Sequence, residues 1–168
     1  MTDYRHLRTR NSLIVLFLVI YLAAPQTSAG IETNGFGPPP GRPEFAWRVQ
    51  QLMARGDGES ADKLLKQVDP EHLNARQLEW FYHIQCYASV GVKAYLRATQ
   101  HCTRSINNSG AFWHDFVNRG AAHAMLGDYD QAIIDYRSAI RRGGDHAQLT
   151  RVILAIQKEQ AKQAAIDR

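Results

Sequence analysis

The chain carries a second copy of part of itself. Shifted by 34 positions, residues 83–110 fall on 117–144 with identities at Ala88/Ala122, Tyr95/Tyr129, Ala98/Ala132, Ile106/Ile140 and Gly110/Gly144, five where chance gives about two. The strings "YLRATQHCTRSI" and "YDQAIIDYRSAI" share a tyrosine, a small residue three positions on and an apolar residue eight beyond that. A third, more diverged copy emerges when "GDGESADKLLKQV" is laid on "GDYDQAIIDYRSA". Gly56, Asp57, Ala61 and Val68 then meet Gly127, Asp128, Ala132 and Ala139, with Leu65 under Tyr136. This offset of 71 exceeds two periods by three residues, so the loop around Asp69, Pro70 and Glu71 must absorb the excess. A unit of this length cannot bury its own apolar face, so neighbouring copies must cover one another.

Local signals make the unit helical. Asn74, Asp128 and Asp145 each stand three residues ahead of a glutamine, the spacing that satisfies orphan amides at a helix start. Helices are predicted over residues 44–55, 60–68, 75–90, 94–106, 111–126, 129–141 and 146–166. The last has Leu149, Val152, Ile153 and Ile156 in one stripe and then turns polar through "QKEQAKQ", as a helix that closes a stack should.

On these residues the chain resembles the tetratricopeptide repeat family, whose 34-residue unit is a pair of antiparallel helices with small residues where they cross. The best unit, 113–146, has Phe116, Gly120 and His123 at the large, small and aromatic positions of its first helix. Ala132, Tyr136 and Ala139 hold the small, aromatic and small positions of its second, with Gly127 in the turn and Tyr129 opening that helix. It departs from the family's pattern at Arg119, His123 and Gly144, where leucine, tyrosine and proline are usual. The unit before it, 79–112, matches through Tyr82, Cys86, Ala98, Cys102 and Ser105, and its early Gly91 implies a shorter first helix and a longer turn. The resemblance implies an all-α fold of about three hairpins (44–75, 79–112, 113–146) wound as a short right-handed solenoid, with 147–168 as capping helix and tail. It also implies a non-enzymatic binding module without a cofactor.

The N-terminus addresses localisation. Arg5, Arg8 and Arg10 precede the apolar run from Leu13 to Ala24, followed by Pro25 and the small residues Thr27, Ser28 and Ala29. That is the layout of a secretory signal cleaved after Ala29. The run is short of the ~20 apolar residues that span a bilayer, though an uncleaved anchor is the alternative. The expected setting is periplasmic or secreted, with membrane contact only through residues 1–29. Residues 30–43, rich in Gly and Pro, read as a semi-extended linker. The formal net charge of +4 falls to about +2 without the signal, and no cluster of five Lys or Arg occurs, which argues against nucleic acid as a partner.

No motif for hydrolytic, phosphate or zinc chemistry is present, and no catalytic or metal-ligand set is assigned. His83 and Cys86 lie one helical turn apart without a second pair, so His83 reads as a rim side chain. His123 reads as a core or interface ring. Cys86 and Cys102 are symmetric about residue 94, inside the expected turn, and an antiparallel hairpin brings them level. A disulfide follows in an exported chain; the alternative is two buried thiols whose side chains diverge. The aspartates of "LGDYDQAIIDYRSAI" read as scaffold, with Asp128 a cap, Asp130 in the first turn and Asp135 solvated on the outer side.

First helices line the family's concave groove. That makes Trp47 and Gln50, then Trp80, His83 and Tyr87, then His114, Val117, Asn118 and Ala121 the candidate contacts for a peptide or protein partner. A lysine- and arginine-based carboxylate clamp is not expected, because only Asn118 matches it. Two other readings stay open: a small thiol- or metal-dependent enzyme using Cys86, Cys102 and His83, and a structural subunit whose groove is filled by its own chain.

Overall fold

The structure, a computed structural model, describes residues 38–109 and 112–166. The expected signal at 1–29 and most of the expected linker lie outside the described residues. Seven α-helices follow in order: α1 (Glu44–Ala54), α2 (Gly58–Gln67), α3 (Ala75–Gly91), α4 (Tyr95–Ser109), α5 (Trp113–Met125), α6 (Tyr129–Arg141) and α7 (His146–Ile166), with a 3-10 turn at Pro70–His72. Among the described residues there are no strands, and no helix is long and apolar enough to cross a membrane.

The helix starts come from the predicted side chains. Asn74 and Gln77 form a reciprocal capping box, Asp128 accepts from the Gln131 amide, and Asp145 accepts from the Gln148 amide. Asp57 caps α2 by accepting from the Ser60 amide, which starts that helix two residues earlier than expected. The extra residues of the first unit are used where expected, since Asp69 caps the 3-10 turn through the Glu71 amide and also accepts from His72 Nδ1.

All three hairpin turns close identically. Two residues past the end of each first helix stands a residue with left-handed φ, Gly56 (77°), Lys93 (59°) and Gly127 (83°). The next amide reaches back five residues: Asp57 to the Leu52 carbonyl, Ala94 to Ser89, Asp128 to His123. Lys93 stands one period before Gly127, so the middle unit has no displaced turn. The expectation drawn from Gly91 is corrected accordingly. α3 is the longer first helix, 17 residues against 13 in α5, and Gly91 is its last residue, small because Met53 closes over it.

Packing follows the repeat. α1 pairs with α2, α3 with α4 and α5 with α6; α1, α3 and α5 neighbour one another in sequence, each second helix also meets the next first helix, and α7 covers α6. One crossing shows how three units share a backbone with different side chains. Val49 and Leu65, Cys86 and Cys102, and Gly120 and Tyr136 occupy equivalent positions, and all six are buried. In the last unit the glycine makes room for the tyrosine, since a Cβ on Gly120 would press on the Tyr136 ring. In the middle unit the two small side chains are joined, with an S–S distance of 2.09 Å and a Cα–Cα distance of 4.5 Å. Among the described residues α4 otherwise buries Ala98 and Ser105, so the bond stands in for apolar volume that this helix lacks.

Asp135 corrects a second expectation. It is 3% exposed, and Arg119 grips it through Nε (2.9 Å) and Nη2 (2.7 Å) while Nη1 donates to Thr103 Oγ1 (3.0 Å). Arg119 is the reason an aspartate can stand on the inner side of α6: a bidentate partner offsets desolvation. His123 is half-buried, with its Nδ1 3.2 Å from Oδ2 of the cap Asp128.

The disulfide spans 16 residues, and the chain-entropy model gives such a loop about 3 kcal/mol. Urea unfolding with and without reductant should differ by about that amount; coincident curves would show that the bond constrains nothing in the unfolded chain. Tyr136 is fully buried with its hydroxyl unpartnered, and burial raises its pKa well above the ordinary tyrosine value. Tyr136→Phe removes that orphan and should stabilise by about 1 kcal/mol, read as a higher urea midpoint at unchanged slope.

Candidate interaction groove

The first helices place the predicted residues on two levels. Trp47 and Gln50 of α1 and Trp80 and Tyr87 of α3 are half-buried, and His114 of α5 is exposed. His83, Val117, Asn118 and Ala121 are buried. Val117 and Ala121 belong to one apolar cluster with Tyr136 of α6 and Leu149, Val152 and Ile156 of α7. The candidate surface therefore narrows to the N-terminal ends of the first helices. The reason is that α3, apolar on nearly every side, packs against α1, α2, α4 and α5, and α5 is sealed by the helices after it.

His83 is not a rim side chain. Its Nδ1 donates to Asp115 Oδ1 at 2.7 Å, and Ser105 Oγ donates to Asp115 Oδ2 at 2.8 Å. Asp115 is 1% exposed, so this carboxylate is held by one side chain from α3 and one from α4. The bond to a carboxylate requires a proton on Nδ1 and fixes the orientation of the ring.

Around His83 the rings form a continuous cluster. Centroid distances are 5.5 Å to Trp80, 4.7 Å to Phe112 and 6.4 Å to His114; Trp80 lies 5.6 Å from Phe112, and Trp113 stacks on His114 at 3.6 Å. Phe112 and Asp115 were not legible as site residues, because their roles depend on α5 beginning beside His83 rather than on any motif. Tyr87 instead packs against the core shared by α1, α2 and α3.

The end of the linker reaches this cluster. Pro40 and Gly41 make a turn, with Gly41 at φ 82° and the Arg42 amide bonded to the Pro39 carbonyl at 3.1 Å. The Arg42 guanidinium consequently sits 5.1 Å from the centre of the Trp80 ring, and its Nη1 donates to Gln50 Oε1 at 2.7 Å. The semi-extended reading of the linker fails over these residues, where Pro-Gly turn chemistry folds the chain back.

A separate polar cleft of about 240 Å³ lies between α2, α3 and α4, lined among others by Asp62, Lys66, Gln85, Ser89, Arg97 and His101. His101 and Ser89 are 2.9 Å apart, and Asp62 pairs with Lys66 and with Arg97. Both cysteine sulfurs are committed to the disulfide, and among the described residues no three His, Cys, Asp or Glu side chains are grouped to hold a metal ion. No protein family model matches the chain, and no curated protein is similar to it.

Burial lowers the His101 pKa; Arg104 and Arg97 act in the same direction, while the Gln85 carbonyl and Asp62 oppose it. The folded state thus binds a proton less readily than an unfolded histidine, whose pKa is about 6.5. Stability is undiminished above that value and falls as pH drops through it toward the folded pKa. The stability difference between wild type and His101→Asn should shrink between about pH 7.5 and pH 5. A difference that stays constant over that range would show that His101 does not titrate with folding.

Proposed function

We propose that the chain is an exported, non-enzymatic interaction module of the tetratricopeptide type that holds a peptide or protein partner at the aromatic end of its first helices. The observation that carries this reading is the ring cluster of Trp80, Phe112, Trp113 and His114 around the pinned His83. Large rings gathered at a surface rather than scattered over it favour association, because aromatic anchors carry most of the binding energy in protein interfaces. A rigid floor sharpens that effect, and the Asp115 carboxylate provides one by holding His83 in a single orientation. Export is supported by the basic and apolar start of the sequence and by a disulfide, which persists in oxidising compartments.

The seated Arg42 favours a second reading, in which the groove is a structural feature covered by the chain's own linker. A photo-reactive phenylalanine introduced at His114, at Trp47 and, as a control, at Leu154 on the exposed side of α7 separates the two in living cells. The interaction reading expects the same protein adduct from His114 and Trp47 and none from Leu154. Absence of adducts from the groove positions, or equal labelling from Leu154, would favour the structural subunit.

A further inference from the structure

Resting on the interaction reading, we infer that the partner presents an arginine side chain, and that Arg42 is a built-in occupant of the seat this arginine takes. The seat is complementary to a guanidinium. Trp80 offers a ring face, which attracts a planar cation stacked over it, and Gln50 Oε1 accepts from an N–H at its edge. A lysine ammonium, compact and strongly hydrated, matches this combination less well than the flat, weakly hydrated fork of arginine.

Arg42 fills the seat incompletely. Its Nε is buried without a hydrogen-bond partner. Its tether holds it through a Pro-Gly turn with Gly41 in the left-handed region, and the Arg76 guanidinium lies where a side chain at position 41 would fall. An arginine on a separate chain arrives without that turn and brings acceptors of its own for Nε. The Phe112, Trp113 and His114 rings beside the seat then contact the residues flanking that arginine. The short connection from Pro43 into α1 makes Arg42 a competitor at high effective concentration, so the groove is closed to weak ligands and open to those that replace the cation.

The test uses the full chain and two blocked pentapeptides, Gly-Gly-Arg-Gly-Gly and its citrulline counterpart, which keeps the shape and removes the charge. Binding is followed by tryptophan fluorescence and calorimetry. A seat filled about nine-tenths of the time by Arg42 leaves about one-tenth open, so Arg42→Ala should tighten arginine-peptide binding about tenfold. Gly41→Ala, which keeps every seat residue but strains the turn, should tighten it in the same direction. Gln50→Ala, made in the Arg42→Ala background, should weaken it, and the citrulline peptide should bind at least tenfold more weakly than the arginine peptide. Equal affinity of wild type and both linker variants for the arginine peptide, with melting temperatures unchanged, would overturn the inference, as would equal binding of the citrulline peptide. Should Arg42→Ala unfold the chain, Gly41→Ala carries the comparison. Adducts from His114 together with no arginine preference would refute the inference alone; loss of both would remove the interaction reading as well.

Discussion

The carboxylate of Asp115 holds the stack in register. Taking a carboxylate out of water costs several kcal/mol, repaid only when its lone pairs are well matched. Here the match comes from His83 of α3 and Ser105 of α4, so two consecutive hairpins cannot slide past one another without orphaning a buried charge. Asp135 does the same between α6 and the Arg119 of α5, and Arg119 extends the tie to Thr103 of α4. Apolar packing alone is permissive about such slips, because the helices present many alanines at similar spacing. The two buried acids make the arrangement specific.

Much of this architecture was legible because its signals are local. Helix starts are fixed by an Asx side chain and the amide three residues on, and Asn74, Asp128 and Asp145 act through neighbours a reader of the sequence can see. The failures came from partners far along the chain. Asp135 reads as solvated until Arg119 is known to face it across the hairpin, and His83 reads as a rim residue until Asp115, 32 positions away, is placed beside it. Lys93 misled for a different reason. A left-handed turn asks for glycine, so Gly91 drew the assignment, but the period itself pointed to position 93 and the backbone obeyed the period.

The groove shows the same division. Its aromatic character was visible in "EWFYHIQCYASV", yet which faces stay accessible depended on how many neighbours α3 acquires, and four helices cover it. Burial of Val117 and Ala121 follows from the closure of α6 and α7 on α5, a property of the assembled stack rather than of any one helix. The linker added what composition had seemed to deny, a defined contact, because a Pro-Gly turn needs only four residues to bring Arg42 onto Trp80.

The covalent bond lies inside the central hairpin and joins no two units to each other. A chain pulled from its two ends therefore meets unequal resistance. The outer hairpins can peel away in sequence, while α3 and α4 between residues 86 and 102 contribute no slack beyond the short bridge. A backbone cut between residues 87 and 101 therefore leaves the segment bearing Trp80 and His83 joined to α4 through the bond.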